Sequence, residues 1–316
     1  HTNEIVKEYV ETMNVDWLTY IDLYDKLAGV AQGGVWSYDN LHLTAAAYQV
    51  WCETICQYLQ EGEDYTVSTV YPSNTSTIQQ NGGLGSAHGM RATYFSMLPI
   101  SNEDVLVFGD EFIKNGEWQE LLGNRNVKNR GTGWGYGGDI ATTSKIVDAT
   151  YANTGVEKKD AKAIFIYTGT GDCNGNTAIE TVKSNYKALV DKVAQKSPTS
   201  KIYLMALAPT NNATTNTSRI AALNSYMQSL ATGNVRYVDT YTPMLNGNVA
   251  NTKYFYPSNY LGGLGYVVMA NAMKDALMAD FPADTYTTIS EADAEVRYAQ
   301  ATLRNTLSQV IARGLI

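Results

Sequence analysis

The chain has 316 residues, 44% hydrophobic and 17% charged, enough to bury one large core or two ordinary ones. With 31 acidic against 23 basic residues the net charge is -8, and no Lys/Arg run is long enough to track a phosphate backbone, so nucleic acid is not an expected partner. No apolar run approaches the roughly 20 residues that cross a bilayer, so no membrane span is expected, and residues 1–15 lack the charged-then-apolar order of a signal peptide.

In chain order, a helical pattern at the start leads into NVDWLTYIDLYDKL (residues 14–27), which reads as a β-strand ending in Asp22. Next comes YDNLHLTAAAYQVWCETI (38–55), a short segment entering an Ala-rich helix, with Asp39 and His42 three apart at its entrance. An Asp there can simply cap the helix. The same pair can also supply a general base and the carboxylate that orients it. Cys52 and Cys56 sit four apart on one predicted helix face and, with Cys173, read as core thiols. No further Cys or His lies at ligand spacing, so no metal is expected.

Residues 61–87 are polar and rich in Ser, Thr and Gly, and read as an interdomain linker. His88, in GLGSAHG, is expected in a loop, and the segment from 88 to 99 reads as a helix leading to a strand. Short apolar runs then recur at 104–110, 125–131, 161–172, 201–209 and 235–241, with helical spacing between them, most plainly at 177–195. Alternating β and α units predict a parallel sheet covered on both faces. Ligands of such sheets bind at the carboxyl ends of the strands, where Gly109-Asp110, the Gly-rich loop 131–139 and Gly169-Thr170-Gly171-Asp172 all fall. The tail from Thr288 has a Thr-x-x-Glu capping pattern ending at Glu291. It places Val296, Ala299, Leu303, Leu307, Val310 and Ile311 at helical spacing before Gly314. This predicts one amphipathic helix whose stripe has to dock on the preceding domain or a further one.

The chain also repeats itself. Residues 14–27 resemble NVRYVDTYTPML (234–245), pairing Asp22 with Asp239, and 38–55 resemble YPSNYLGGLGYVVMANAM (256–273). Aligning Tyr48 with Tyr266 sets His42 opposite Tyr260 and Asp39 opposite Pro257. Residues 1–60 therefore read as the C-terminal part of a first domain, 61–87 as linker, 88–281 as a complete copy, and 282–316 as the C-terminal amphipathic helix.

The blocks VLVFGDEFIKNGEWQELLGNRNVKNRG, IFIYTGTGD and DNLHLTAAAYQVW resemble those of SGNH (GDSL-type) hydrolases, bacterial carbohydrate acetylesterases in particular. The resemblance implies a flavodoxin-like α/β/α sandwich and a serine after the first strand. It further implies an oxyanion hole from that serine's N–H, a Gly and an Asn, and an Asp-x-x-His before the last helix. It implies no cofactor, acylated carbohydrate as the partner, and export from a bacterial cell.

Where the family has its serine this chain has Glu111, where it has Asn this chain has Gly171, and its Asp-x-x-His has become Pro257 to Tyr260. Glu111 is either a replacement at a silent site or a general base in other chemistry. The resemblance makes Asp39 and His42 the candidate catalytic residues, the base half of a first active site. Positions 111 and 260 are 149 apart, whereas 41 residues precede His42, so its nucleophile is expected on a preceding segment or a partner chain completing residues 1–60. Asp110, Gly138, Trp134 and Tyr136 are the candidate ligand groove of the complete copy, the two aromatic rings suited to stacking on a sugar.

Overall fold

The computed structural model describes residues 2–28, 43, 45–59, 86–133, 138–256 and 260–312. They divide into two compact units, residues 1–99 with 148–156, and 100–147 with 157–316.

The first unit contains α1 (Thr2–Met13), α2 (Leu23–Ala28), α3 (Ala45–Cys56) and α4 (Ser86–Met97). The strand expected over 14–22 does not form. Asn14 takes a left-handed φ of 45° and closes α1, and the next hydrogen bonds are local turns, Leu18 N–H to Val15 O and Leu23 N–H to Ile21 O. Alternating apolar residues make a strand only when a ladder partner receives their backbone groups. Tyr48 links α3 to α4, its ring edge-on to Trp51 at 5.7 Å and to Tyr94 at 5.4 Å. Two further expectations are corrected here. Cys52 is exposed and Cys56 half-buried, leaving Cys173 as the core thiol. His88 lies inside α4, where Met90, Tyr94 and Met97 at helical spacing carry the helix past the glycines.

The second unit is built on five parallel strands: β1 (Val105–Gly109), β2 (Val127–Gly131), β3 (Ala163–Tyr167), β4 (Lys201–Met205) and β5 (Val235–Val238). Their order is β2-β1-β3-β4-β5, with flanking helices, the flavodoxin-like α/β arrangement. Every residue of β1 and β3 is buried, which is why these strands are continuous apolar runs rather than alternating ones. Phe165 of β3 stacks on Tyr203 of β4 at 4.5 Å.

Between the strands run α5 (Glu111–Lys114), α6 (Trp118–Leu122), α7 (Asp139–Thr150), α8 (Thr170–Asn174) and α9 (Ile179–Lys196). After β4 a π-helical turn, Asn216–Ile220, enters α10 (Ala221–Ser229), and α11 (Gly263–Asp280) and α12 (Glu291–Ala312) close the unit.

In the tail the helix runs over Glu291–Ala312, and its cap is not the expected one. Ser290, not Thr288, accepts from the Asp293 N–H at 3.1 Å, while Thr288 donates to Asn271 and Glu291 is held by Lys253 and Tyr254. The stripe expected to dock is open to solvent within the unit: Val296 is 56% exposed, Leu303 69% and Ile311 56%.

Candidate functional site

The order of the strands sets the site. Chain connections run in opposite directions from β1 and β3, so the loops leaving their carboxyl ends part there and leave a crevice. Asp110 and Glu111 follow β1, Asp139 follows β2, and Asp172 follows β3.

The corner carrying Asp110 and Glu111 is held from several sides. Asp110 caps α5, its Oδ1 accepting from the Phe112 N–H at 3.1 Å, and its own N–H donates to Tyr167 O. The α5 carbonyls are bound by Asn129, whose amide donates to Ile113, Lys114 and Gly116, and by the Trp118 indole, which donates to Ile113. From α11 the Tyr266 hydroxyl donates to Phe112 O at 2.9 Å. Gly131 is required by this closeness, because a Cβ there would lie 2.2 Å from Lys114 N.

A second arrangement joins the loops after β2 and β3. Asp139, the first residue of α7, accepts from the Gly171 N–H of α8 at 2.5 Å. Asp172 of α8 accepts in return from the Ile140 N–H of α7 at 3.1 Å. Gly138, with φ 99°, passes beneath Asp172, whose Oδ1 would lie 2.3 Å from any Cβ placed there. Arg219, on the π-helical turn, donates to the carbonyls of Cys173, Asp172 and Thr177 and so fixes α8 from outside.

These carboxyls share a water-poor space. Asp110 is 5% exposed and Asp139 3%, and neither Asp110 Oδ2 nor Asp139 Oδ1 has a hydrogen-bond partner among the described residues. Burial, then the nearby Asp139, pushes the Asp110 carboxyl well above the usual carboxylate range. Burial pushes Asp139 up to about 6, the Gly171 hydrogen bond opposing and Asp172 and Glu111 assisting. Burial also raises Asp172. Tyr266 and the buried Tyr167 are raised by burial and by Asp110. The whole edge favours neutral over anionic groups.

The expected site residues fall as follows. Asp110, Glu111, Gly138 and Gly171 meet at this edge, with Glu111 half-buried at the start of α5 and Gly171 inside α8 with its N–H already given to Asp139. Tyr260 is 46% exposed, and its carbonyl accepts from the Tyr256 N–H. Asp39, His42, Trp134, Tyr136 and Pro257 lie outside the described residues. Asp139 and Asp172 were not anticipated as partners. The signal for them was in the sequence: a Gly-Asp pair or Gly-x-Gly-Asp closes each of the first three strand turns, at 110, 139 and 172. Among the described residues no group of three or more His, Cys, Asp or Glu side chains is arranged to hold a metal ion, and no helix is long and apolar enough to cross a membrane.

The GDSL-like Lipase/Acylhydrolase family matches residues 107–267. No curated protein matches the chain. Among solved structures, a Streptococcus pneumonia protein provisionally described as a platelet activating factor is 20% identical, with a TM-score of 0.52 over 60% of this chain and 92% of its own. A GDSL-like lipase from Bacteroides thetaiotaomicron is 17% identical, with a TM-score of 0.49 over 61% of this chain and 98% of its own. A carbohydrate esterase family 3 protein from Talaromyces cellulolyticus is 14% identical, with a TM-score of 0.40 over 58% of this chain and 100% of its own.

Proposed function

Because the chain belongs to the GDSL-like lipase/acylhydrolase family, we propose that it is part of a tandem carbohydrate O-acetylesterase whose complete family domain is itself chemically silent. Catalysis in this reading belongs to the first domain, to which Asp39 and His42 contribute orientation and general base. The observation that carries the silence is the state of the sheet edge. A serine esterase needs a nucleophile, a base, and N–H groups aimed at a developing oxyanion. Here Glu111 stands at the nucleophile position, and the N–H groups of Phe112, Ile140 and Gly171 are already bound to the carboxyls of Asp110, Asp172 and Asp139. An oxyanion formed there would meet acidic groups that are themselves held toward neutrality.

With the chemistry absent, what the domain keeps is a crevice, and acylated carbohydrate is the ligand class that the family resemblance implies for it. The test is hydrolysis of p-nitrophenyl acetate by this chain against a matched protein blank, with a serine-directed fluorophosphonate as a labelling reagent. The expected result is blank-level turnover and no label. Turnover abolished by the phosphonate, with label on a peptide from 100–281, would overturn the reading.

A further inference from the structure

We propose that Asp139 and Asp172 form a pH-gated clasp joining the turn after β2 to the turn after β3, shut in acid and released toward neutral pH. The geometry is reciprocal. Each carboxyl belongs to one helix start and accepts from a backbone N–H of the other, Asp139 from Gly171 and Asp172 from Ile140. The two turns cannot part without breaking both bonds. The clasp stands whether or not the domain is catalytic.

The titratable and charged groups facing it come from every neighbouring element. Among the described residues they are Asp110 and Glu111 at the start of α5, Tyr167 on β3, Cys173 on α8, Tyr266 on α11 and Arg219 on the π-helical turn. The guanidinium of Arg219 is spent on main-chain carbonyls rather than on the carboxyls.

In acid, a protonated Asp110 or Asp139 has a hydroxyl to donate and no longer repels the carboxylates beside it. At higher pH the carboxylates repel in a space that water does not screen. The backbone N–H groups favour the anions and oppose release. Burial, with repulsion assisting, outweighs them and pushes Asp139 up to about 6 from 3.8. If the released carboxyl regains its ordinary value, linkage makes opening easier by on the order of 10² as pH rises across that interval.

The experiment is amide exchange at Gly171 and Ile140, followed by NMR at about pH 5 and about pH 7.5 and corrected for the intrinsic rate, where the expected loss of protection is about tenfold, the rest of the linkage lying below pH 5. Asp139→Asn keeps an acceptor oxygen for Gly171 but cannot ionise, so it should hold both amides protected at both pH values. Protection that is constant or rises with pH overturns the proposal, as does a variant that keeps the wild-type pH dependence. A ¹³C titration of the wild-type carboxyls decides the matter without any variant: Asp139 titrating below about pH 4 overturns it, and titration near the raised value supports it.

Discussion

The interior of the sheet and its carboxyl edge answer to different constraints. Inside, β1 and β3 carry only buried side chains, and Phe165, Tyr203, Leu106 and Val107 fill the space between strands and helices. At the edge, a few residues further along the same strands, buried carboxyls replace apolar packing and two of their oxygens lack partners among the described residues. The interior keeps what any member of the family needs in order to fold. In the proposed reading the edge has lost what the family needs for chemistry, and the fold tolerates the loss. The difference teaches that selection for packing and selection for a reaction act on separable residues, although both sets hang from the same strands.

The interior should be the easiest to break. Phe165→Ala removes a ring that is fully buried and stacked on Tyr203, and should cost about 3–5 kcal/mol in a denaturant melt. A loss below about 1 kcal/mol would mean that the second unit does not depend on this sheet for its stability.

How much of this could be read from the sequence follows the same division. Strands β1, β3 and β4 were legible because a strand buried on both faces must be a continuous apolar run, whereas β2 and β5, at the sheet edges, carry charged residues and are only partly buried. The segment 14–22 has the same local pattern and forms no strand, since pattern reports side-chain preference and not the presence of a neighbour. Glu111 and Gly171 were legible as departures because each replaces one residue at a fixed place in a block. Of the Asp139–Asp172 exchange only the recurring Gly-Asp was legible; the bonds themselves join residues 33 positions apart through backbone N–H groups, which carry no sequence signature. The stripe on α12 was legible as a stripe, but its occupant is not encoded in its periodicity.

The edge should respond in the opposite direction from the core. Asp110→Asn replaces a buried acid with an amide of the same shape that needs no proton, and should stabilise the second unit at neutral pH by about 1–3 kcal/mol, the scale of an unmet buried polar group. The sign depends on pH. A carboxyl whose folded pKa is raised contributes stability that is fully present below its ordinary pKa and is lost as pH rises through the raised value. The advantage of the variant should therefore be near zero below about pH 4 and grow as pH rises from there toward the raised Asp110 value. Paired melts across that range measure it, and an advantage greatest in acid would reverse the assignment.

The smallest expected effect tests the edge most sharply. Glu111→Ser restores the family's hydroxyl at the start of α5, and it should leave esterase activity at the blank. A serine hydroxyl without a base is a weak nucleophile, and a phenol at the Tyr260 position is a poor proton acceptor at neutral pH. The oxyanion would also find the Gly171 N–H bound to Asp139 and no amide side chain at that position, where each missing donor costs typically ~10²–10³ in rate. Tyr260→His and Pro257→Asp would supply base and orienting carboxylate, and Gly171→Asn the amide donor. The four changes together are the least set that replaces every part the edge has lost. Initial rates against p-nitrophenyl acetate separate the cases, and saturable turnover from Glu111→Ser alone would mean that another side chain at this edge already serves as base.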